Sequence, residues 1–307
     1  MRRAGRVPRG YAAIGDDVAS VPPGKGRLVV KVDMLVEHTD VPPGMTYRQA
    51  ARKAAAMCVS DFAAKGVKPD SFMVSLGLRR GVTQEQVDAL AAGFRDAERE
   101  WKVHLVGGDT NESEELIIDC AMLGFARRIV PRSGSSPGDA LMVTGRFGYT
   151  RAGLGILTKS AAAEAPFRKK ATESVLMPTP NLRAGIALAP YLTSAMDSSD
   201  GLARSLHTLA KASGVGFELT SLPAADGVKE FASSNGLDPD VLVLQGGEEY
   251  VMVGTLRRRE LGAARRAAKR AGGELLEIGR ATRSGKVELL AGGKRRMVED
   301  EGWTHLR

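Results

Sequence analysis

Helix-type and strand-type segments alternate along the whole of this 307-residue chain. A first helix is predicted from Thr46, whose spacing to Gln49 is that of a capping box, to about Lys65. Thr83 and Gln86 repeat the device before a second helix with apolar residues three and four positions apart. Short apolar runs typical of strands occur at 28–32, 72–76, 103–106, 116–125 and 140–143. The alternation predicts a mixed α/β (α+β) fold.

The composition changes abruptly at 131–138, where the sequence reads Pro-Arg-Ser-Gly-Ser-Ser-Pro-Gly. Such a stretch is typical of a domain boundary, and the chain is long enough for two domains with separate cores. We therefore predict an N-terminal domain over 1–135 and a C-terminal α+β domain over 136–307. Beyond the boundary we expect helices near 150–160, 181–192, 201–213 and 257–271, with strands near 215–220, 241–244, 250–254 and 274–278.

Seven aspartates lie in five short islands at the ends of apolar runs or beside glycine and serine: Asp16 and Asp17, Asp33, Asp61, Asp109, and Asp197 with Asp200. Taken singly, most of them are typical of turns, helix caps or loops. Asp61 differs, because it lies inside a predicted helix, where a carboxylate is costly unless it meets a cation. Asp197 and Asp200 lie at the start of a predicted helix, whose dipole favours anions. Together the islands indicate a phosphate-handling enzyme that uses Mg²⁺.

The net charge of +8 is compatible with nucleic acids or with small anionic substrates. The densest basic cluster, 257–270, is predicted to be a solvated helix face, and no aromatic residues interleave with it to stack bases. No apolar run approaches the length of about 20 residues that spans a bilayer, and the basic start lacks an apolar segment. Cys58 and Cys120 suit buried thiols in a reducing compartment. We expect a cytoplasmic protein that binds neither nucleic acid nor membrane.

A series of short motifs follows in order along nearly the whole chain. They are Ile-Gly-Asp-Asp at 14–17, Val-Asp-Met-Leu-Val-Glu at 32–37, Val-Ser-Asp-Phe-Ala-Ala-Lys-Gly at 59–66, Val-Gly-Gly-Asp-Thr at 106–110, Val-Thr-Gly-Arg-Phe-Gly at 143–148, Met-Asp-Ser-Ser-Asp-Gly-Leu at 196–202, Ser-Gly-Val-Gly at 213–216 and Gly-Gly-Glu-Glu-Tyr at 246–250. Each motif alone is weak. As an ordered set they resemble the thiamine-monophosphate kinase family, within the aminoimidazole-ribonucleotide-synthetase-like superfamily.

This resemblance implies ATP-dependent phosphorylation of thiamine monophosphate to the diphosphate. It implies metal binding by Asp16, Asp17, Asp33, Asp61, Asp109, Asp197 and Asp200, of which Asp61, Asp109 and Asp200 are the expected catalytic residues. It implies nucleotide contacts from Asp17, Gly108, Asp109, Arg132 and Ser199, with Arg132 reaching a phosphate. Trp303 matches a C-terminal aromatic residue against which the thiamine ring packs, and Glu248 is a further candidate for substrate contact.

The chemistry is consistent with this assignment. Phosphoryl transfer depends mainly on positioning and charge neutralisation, so several Mg²⁺ ions held by carboxylates can replace the lysine of a P-loop. The acceptor oxygen belongs to a phosphate and is already ionised near neutral pH. A strong general base is therefore unnecessary, and we expect direct in-line transfer.

The chain departs from the family pattern at three places. Glu-His-Thr-Asp at 37–40 stands where the family often has Gly-Val-His-Phe with a substrate-contacting His, so either His38 or Asp40 is expected to serve instead. The family's Gly-Gly-Glu-Asp-Tyr-Glu ends here in Val251, without the last acid. The segment before Gly15 is short, and we expect a leading helix of the relatives to be absent.

Alternative functions were weighed against these motifs. Aminoimidazole-ribonucleotide synthetase is the runner-up, although it typically has Asp-Gly-Val-Gly-Thr-Lys where residues 33–36 read Asp-Met-Leu-Val. Selenophosphate synthetases need a reactive residue near the N-terminus, where the first cysteine here is Cys58, and the hydrogenase-maturation relative ends in a functional cysteine. A basic nucleic-acid-binding protein is the alternative from another class. The resemblance also implies a homodimer with a shared barrel of N-terminal strands, and a C-terminal domain that completes the nucleotide and substrate cleft.

Overall fold

A computed structural model describes residues 23–304, and the chain divides into two compact units. The first unit contains the described part of Met1–Phe62 together with Val67–Arg128. The second contains Ala63–Gly66 and the described part of Ile129–Arg307. Every helix within 23–304 is too short or too polar to cross a bilayer.

The first unit is built on a four-stranded sheet in the order β1–β4–β2–β3. Its strands are β1 (Arg27–Val36), β2 (Lys68–Leu78), β3 (His104–Glu112) and β4 (Ile117–Ala126), and its helices are α1 (Glu37–Asp40), α2 (Tyr47–Lys65) and α3 (Gln84–Trp101). Strand β4 pairs antiparallel with both β1 and β2, whereas β3 runs parallel to β2 after the α3 crossover. The mixed helix and sheet content agrees with the predicted fold class.

Helices α2 and α3 begin where their capping residues predict. The Thr46 N–H donates to Gln49 Oε1 at 2.8 Å, and the Gln49 N–H donates back to Thr46 Oγ1 at 3.3 Å. Thr83 and Gln86 form the same reciprocal pair at the start of α3. These caps form because both partners lie within one turn of the helix, so the sequence alone specifies them.

Three strands of the first unit, β1, β2 and β3, are longer than predicted, and in β1 and β3 the added length includes a candidate metal ligand. Strand β1 continues three residues past Asp33, because its register with β4 places Asp33 opposite Cys120 and extends to Val36. Strand β3 continues through Gly108 and Asp109 to Glu112, because it pairs with β2 along that whole length. The predicted strand ends at 32 and 106 are therefore wrong, and Asp33 and Asp109 are strand residues.

One face of edge strand β1 is apolar and exposed. Leu28, Val30, Val32 and Met34 alternate along it, and each is between 53% and 57% exposed. Strand geometry turns the intervening residues, including Lys31 and Asp33, to the opposite face. We call these four apolar residues the β1 apolar face.

The second unit contains a seven-stranded sheet in the order β11–β10–β7–β9–β5–β8–β6. Its strands are β5 (Ala140–Val143), β6 (Leu192–Asp197), β7 (Gly216–Leu219), β8 (Met252–Leu256), β9 (Leu276–Thr282), β10 (Val287–Ala291) and β11 (Lys294–Met297). Its helices are α4 (Tyr149–Lys159), α5 (Ala165–Leu176), α6 (Leu182–Leu188), α7 (Leu202–Ser213), α8 (Val228–Ser234), α9 (Pro239–Gln245) and α10 (Leu261–Arg270), with a 3₁₀ turn at Arg258–Glu260.

Both faces of this sheet are covered at strand β5. Along β5, Leu141 and Val143 belong to one buried apolar cluster, whereas Ala140 and Met142 belong to another. The period-2 alternation of strand side chains explains how four consecutive buried residues serve two cores. A strand exposed to solvent on one face would have polar residues at alternate positions instead.

The prediction of a strand at 241–244 is wrong, because these residues lie in helix α9. Asp238 caps this helix by accepting the Asp240 N–H at 2.8 Å, and Pro239 occupies its first turn. An Asp-Pro pair is a helix-start signal that outweighs the apolar run behind it. Helices α5 and α8 and strands β6, β10 and β11 were also not predicted from the sequence.

Candidate functional site

In the first unit, Lys31 lies between two of the predicted metal ligands. Its Nζ is 3.0 Å from Asp33 Oδ1 and 2.7 Å from Asp61 Oδ2. Lys31 and Asp33 share a face of β1 because they are two residues apart, and Asp61 reaches them from α2. The helix-borne Asp61 therefore meets a cation in the structure, and this cation is an ammonium group of the protein.

Burial and charge act in opposite directions on this cluster. Burial raises the pKa of the Asp33 carboxyl, and the charge of Lys31 offsets only part of that effect. Burial by itself lowers the pKa of Lys31, but the hydrogen bond and charge of Asp61, followed by those of Asp33, outweigh it and raise the pKa. The ammonium group is therefore held in its charged form.

The two thiols lie beside this cluster and are buried, as predicted. Cys58 on α2 donates from Sγ to the carbonyl oxygen of Cys120 on β4 at 3.2 Å. Its contact with Cys120, together with burial, raises the pKa of the Cys58 thiol well above the usual value. A thiol in this state is a poor nucleophile and packs as a small apolar group.

Asp109 does not join Asp33 and Asp61 in a larger carboxylate group. It is exposed on β3, opposite Ser75 of β2, and its Oδ1 accepts the neighbouring Thr110 N–H at 2.8 Å. Within residues 23–304, no three His, Cys, Asp or Glu side chains are arranged to hold a metal ion. Asp16 and Asp17, two of the predicted ligands, lie outside the described residues.

Helix α1 carries the two alternative candidates for contact with the substrate, His38 and Asp40, and their surroundings differ. Asp40 Oδ2 accepts the Val36 N–H and the Thr39 hydroxyl, both at 2.8 Å, so this carboxylate stabilises its own turn. The His38 side chain is 71% exposed, and its Nδ1 lies 2.9 Å from Glu115. The imidazole is therefore the more accessible of the two groups.

In the second unit, Asp197 ends β6 and the chain turns through 198–201 into helix α7. Asp197 is buried, whereas Ser199 and Asp200 are partly exposed. Gly201 has φ of 112°, a conformation that a residue with a Cβ rarely adopts. The Ser198 hydroxyl is buried and has no hydrogen-bond partner among the described residues. We call residues 197–201 the acidic turn.

The Gly-Gly-Glu-Glu-Tyr segment, residues 246–250, is hydrogen-bonded to the acidic turn through the main chain. The Glu248 N–H donates to the Ser199 carbonyl at 2.6 Å, and the Tyr250 N–H donates to the Ser198 carbonyl at 3.1 Å. Glu248 and Tyr250 have φ of 58° and 49°, in the left-handed region that is uncommon for residues other than glycine. Such backbone is concentrated at functional sites, where surrounding contacts hold it.

Trp303 approaches the same turn from the C-terminal segment. The main-chain N–H of Trp303 donates to the Asp200 carbonyl at 3.0 Å, and the indole side chain is about half exposed. Arg204 on α7 holds this segment through an ion pair of 3.1 Å with Asp300. A Cβ at Gly302 would lie 2.1 Å from the Asp200 carbonyl, so only glycine permits this approach. The second unit thus brings together Ser199, Asp200, Glu248 and Trp303.

Arg132 is exposed on a segment that is held firmly in the second unit. Ser135 lies in a buried hydroxyl cluster, with its Oγ 2.7 Å from Ser194 Oγ and 2.9 Å from Thr255 Oγ1. Asp139, also buried, accepts a main-chain N–H of the same segment at 3.0 Å. Before the arginine, the Pro131 carbonyl accepts the Ala195 N–H at 2.9 Å. The serine-rich stretch that resembles a linker in the sequence is therefore anchored on both sides of the arginine.

The basic cluster at 257–270 is a solvated helix face, as predicted. Its alanines, Ala264 and Ala268, are fully buried under α10. On the outer side, Arg258 and Arg265 lie 2.8 Å and 3.6 Å from carboxylate oxygens of Glu277. Part of the positive charge is thus already paired within the protein.

Sequence reasoning missed two residues of these sites. Lys31 was detectable, because strand period places it on the same face as Asp33. Glu249 was not, because its partners begin helix α4, about a hundred residues away in the chain: Oε1 accepts the Gly148 N–H at 2.6 Å and the Thr150 N–H at 3.3 Å. Burial raises the pKa of Glu249 to about 7, against the opposing effect of these hydrogen bonds.

Comparison with known proteins relates the chain to one family over most of its length. Residues 15–126 match AIR synthase related protein, N-terminal domain, and residues 136–292 match the corresponding C-terminal domain. The thiamine-monophosphate kinase of Nitrosopumilus maritimus (strain SCM1) is 40% identical over 283 residues, which are 92% of this chain and 90% of that protein. The thiamine-monophosphate kinase of Pyrococcus abyssi (strain GE5 / Orsay) is 33% identical over 296 residues, which are 96% of this chain and 91% of that protein.

Solved structures give the same relationship. A structure described as AaThiL complexed with AMPPCP and TMP has a TM-score of 0.83 at 29% identity, covering 96% of this chain and 92% of that one. The crystal structure of thiamine monophosphate kinase from Aquifex aeolicus has a TM-score of 0.79 at 29% identity, covering 89% and 91%. The similarity therefore extends along nearly all of the chain.

Proposed function

Because the chain belongs to the thiamine-monophosphate kinase family of AIR synthase related proteins, we propose that it transfers the γ-phosphoryl group of ATP to thiamine monophosphate. The observation that carries this proposal is that main-chain hydrogen bonds bring the backbone of Glu248 and of the half-exposed Trp303 to Ser199 and Asp200. An aromatic surface next to carboxylates suits a cationic heteroaromatic ring. The product is thiamine diphosphate.

We propose Mg²⁺ as the metal. Asp33 and Asp61 each place a carboxylate oxygen within 3.0 Å of one cationic nitrogen, so hard oxygen donors already converge on a cation position. Further proposed ligands are Asp16, Asp17, Asp109, Asp197 and Asp200. When bound, Mg²⁺ would neutralise charge on the transferring phosphoryl group. Asp61, Asp109 and Asp200 are the carboxylates that we assign to catalysis.

For the nucleotide, we assign contacts in each unit separately. In the first unit these are Gly108 and Asp109, which are exposed on β3, together with Asp17. In the second unit they are Ser199 and Arg132. The guanidinium of Arg132 offers paired, charge-assisted hydrogen bonds to phosphate oxygens, and its anchored segment limits the entropy lost on binding.

For thiamine monophosphate, we again assign contacts in each unit separately. In the first unit the contact is His38, and in the second unit Glu248 gives a polar contact and Trp303 the contact to the ring. We favour His38 over Asp40, because the Asp40 carboxylate already accepts two local hydrogen bonds whereas the imidazole is exposed. The acceptor phosphate is ionised near neutral pH, so the chain needs no strong base. Its residues act by aligning two phosphates for in-line transfer.

The assay that tests this function uses purified protein with Mg²⁺ and ATP. Thiamine monophosphate is the first acceptor, and an aminoimidazole precursor is the second. We expect thiamine diphosphate and ADP in equal amounts with the first and no ADP with the second. ADP formation only with the aminoimidazole precursor would favour the runner-up enzyme of the same superfamily.

We propose that the protein is a homodimer through the β1 apolar face. Four apolar side chains, each more than half exposed on an edge strand, would promote aggregation of a monomer. Such a surface is normally covered by a partner. A second copy of the same strand has the same alternation of apolar and polar side chains.

The double variant Val30→Lys, Val32→Lys should halve the mass found by sedimentation equilibrium, whereas Leu237→Lys, at another exposed apolar residue, should not. A wild-type monomer at micromolar concentration would rule out this interface.

The remaining assignments follow from these. We propose that residues 1–135 carry dimerisation and Mg·ATP contacts, and that 136–307 contribute further nucleotide contacts and the acceptor ring contact. The cytoplasm is the proposed location, and a chain with two cysteines, both buried, is consistent with it.

A further inference from the structure

We propose that Glu249 and Thr150 form a clamp that positions Glu248 for acceptor binding, an inference that relies on the proposed function for the identity of the acceptor. Neither residue was singled out by the sequence, and neither is a candidate for direct contact with substrate. Their role is to hold residues 246–250 in a conformation that this segment would not keep on its own.

On one side, the segment is fastened to the start of helix α4. Gly148 is the N-cap and supplies no side-chain cap of its own. Glu249 replaces that cap from elsewhere in the chain, accepting the Gly148 N–H at 2.6 Å and the Thr150 N–H at 3.3 Å. A further hydrogen bond joins the same two regions, because the Thr150 hydroxyl donates to the Gly247 carbonyl at 2.7 Å. A carboxylate is favoured here by unpaired N–H groups and by the helix dipole.

On the other side, the segment is fastened to the acidic turn. The N–H groups of Glu248 and Tyr250 donate to the carbonyls of Ser199 and Ser198. These two donors flank Glu249 and are the residues with left-handed backbone. The main-chain N–H groups on either side of Glu249 thus contact the turn, while the Glu249 side chain reaches the start of α4.

Glu248 is the residue whose placement depends on this arrangement. The Tyr250 hydroxyl donates to Glu248 Oε1 at 3.4 Å, so the clamped segment orients this carboxylate through a neighbour as well as through its own backbone. Without Glu249 the left-handed residues are free to relax toward ordinary backbone, and Glu248 moves with them.

The test compares Glu249→Ala, Glu249→Gln and Thr150→Val with the control Asn181→Ala. Asn181 caps helix α6 in the same unit, accepting the Ala184 N–H at 3.0 Å, so its loss reproduces the cost of an uncapped helix without touching the segment. We expect Glu249→Ala to raise the KM for thiamine monophosphate about tenfold, with the KM for ATP changed less than about twofold. The glutamine oxygen still accepts both N–H groups, so Glu249→Gln should recover most of the loss.

Thr150→Val should have a smaller effect of the same kind, because it removes one bond of the clamp. Asn181→Ala should lower the melting temperature and leave both KM values unchanged. The inference is overturned if Glu249→Ala changes the two KM values equally or not at all, or if Glu249→Gln is as impaired as Glu249→Ala.

Hydrogen exchange separates this inference from the proposed function. In Glu249→Ala, the amides of Glu248 and Tyr250 should exchange about tenfold faster or more, whatever the substrate of the enzyme is. A wild type that does not phosphorylate thiamine monophosphate refutes the function but leaves this measurement informative. Unchanged exchange at both amides refutes the clamp even in an active kinase.

Discussion

The two units hold their acidic residues in different ways. In the first, Asp33 and Asp61 are neutralised by a side-chain cation, the Nζ of Lys31. In the second, the acidic turn and the segment 246–250 are fixed by main-chain N–H groups, by left-handed backbone and by Glu249 at a helix start. A cation can be exchanged for another cation, whereas a backbone network cannot. The first arrangement is suited to binding metal, and the second to holding a rigid shape.

The largest expected effect comes from breaking the first arrangement at Asp61. Asp61→Asn should lower kcat about 100-fold or more, about 2.7 kcal/mol of barrier, because one ligand of the proposed metal is lost. The melting temperature should change little, since Lys31 keeps Asp33 as a partner. Asp119→Asn, on the same sheet in β4, is the matched control and should remain active. Full activity of Asp61→Asn at saturating Mg²⁺ would remove Asp61 from the site.

A pH series tests the second arrangement through Glu249. Its folded pKa of about 7 lies above the ordinary 4.5, so the folded chain binds this proton more tightly than the unfolded chain. The resulting stabilisation is complete below pH 4.5 and lost as pH rises through 7. Between pH 4.5 and 8, wild type should lose about 1–3 kcal/mol of unfolding free energy relative to Glu249→Gln.

Denaturant unfolding at several pH values measures this difference. Glu230→Gln, an exposed glutamate on α8, serves as control and should follow wild type throughout. Parallel curves for wild type and Glu249→Gln would show that the carboxyl does not titrate in this range.

A third prediction tests whether the C-terminal segment with Trp303, which the second unit holds against the acidic turn, binds thiamine monophosphate. Trp303→Ala should weaken binding of thiamine monophosphate about five- to thirtyfold, the equivalent of about 1–2 kcal/mol of ring stacking. ATP binding should be nearly unaffected, and calorimetric titration with each ligand distinguishes the two. Selective loss of ATP binding instead would place the acceptor ring elsewhere.

The smallest effect sharpens the idea of an exchangeable cation. Lys31→Met should tighten Mg²⁺ binding about three- to tenfold, about 0.7–1.4 kcal/mol, because the competing ammonium is gone. The metal-free protein should melt at a lower temperature, since Asp33 and Asp61 then face each other without a counter-charge. Titration calorimetry with MgCl₂ measures the affinity, and Lys68→Met, an exposed lysine on β2, is the control. Weaker Mg²⁺ binding in Lys31→Met would show that the ammonium assists the metal.

Prediction of the fold succeeded where the responsible contacts are short in sequence. The capping boxes at Thr46 and Thr83 join residues three positions apart, and both helices begin there. Prediction of strand ends failed, because a strand continues for as long as the neighbouring strand offers main-chain hydrogen bonds to it. Asp33 and Asp109 became strand residues because β4 and β2 extend beside them.

For the candidate site, residue types and motif order already indicated carboxylates, a phosphate-handling arginine and a C-terminal indole. Their surroundings could not be predicted in the same way. The Lys31–Asp61 contact requires α2 to pack on one particular face of β1. The exposure of His38 and the internal use of Asp40 depend on how α1 turns after that strand.

The sequence by itself determined the family, the mixed fold, the starts of helices α2 and α3 and the identity of most candidate residues, because these depend on local chemistry and on ordered motifs. Only the tertiary structure decided which groups meet. It paired Asp33 and Asp61 with an ammonium group, and it placed Glu249 on a helix start 101 residues away in the chain. The physical reason is that packing free energy, summed over many weak contacts along the chain, sets long-range distances that no local pattern encodes.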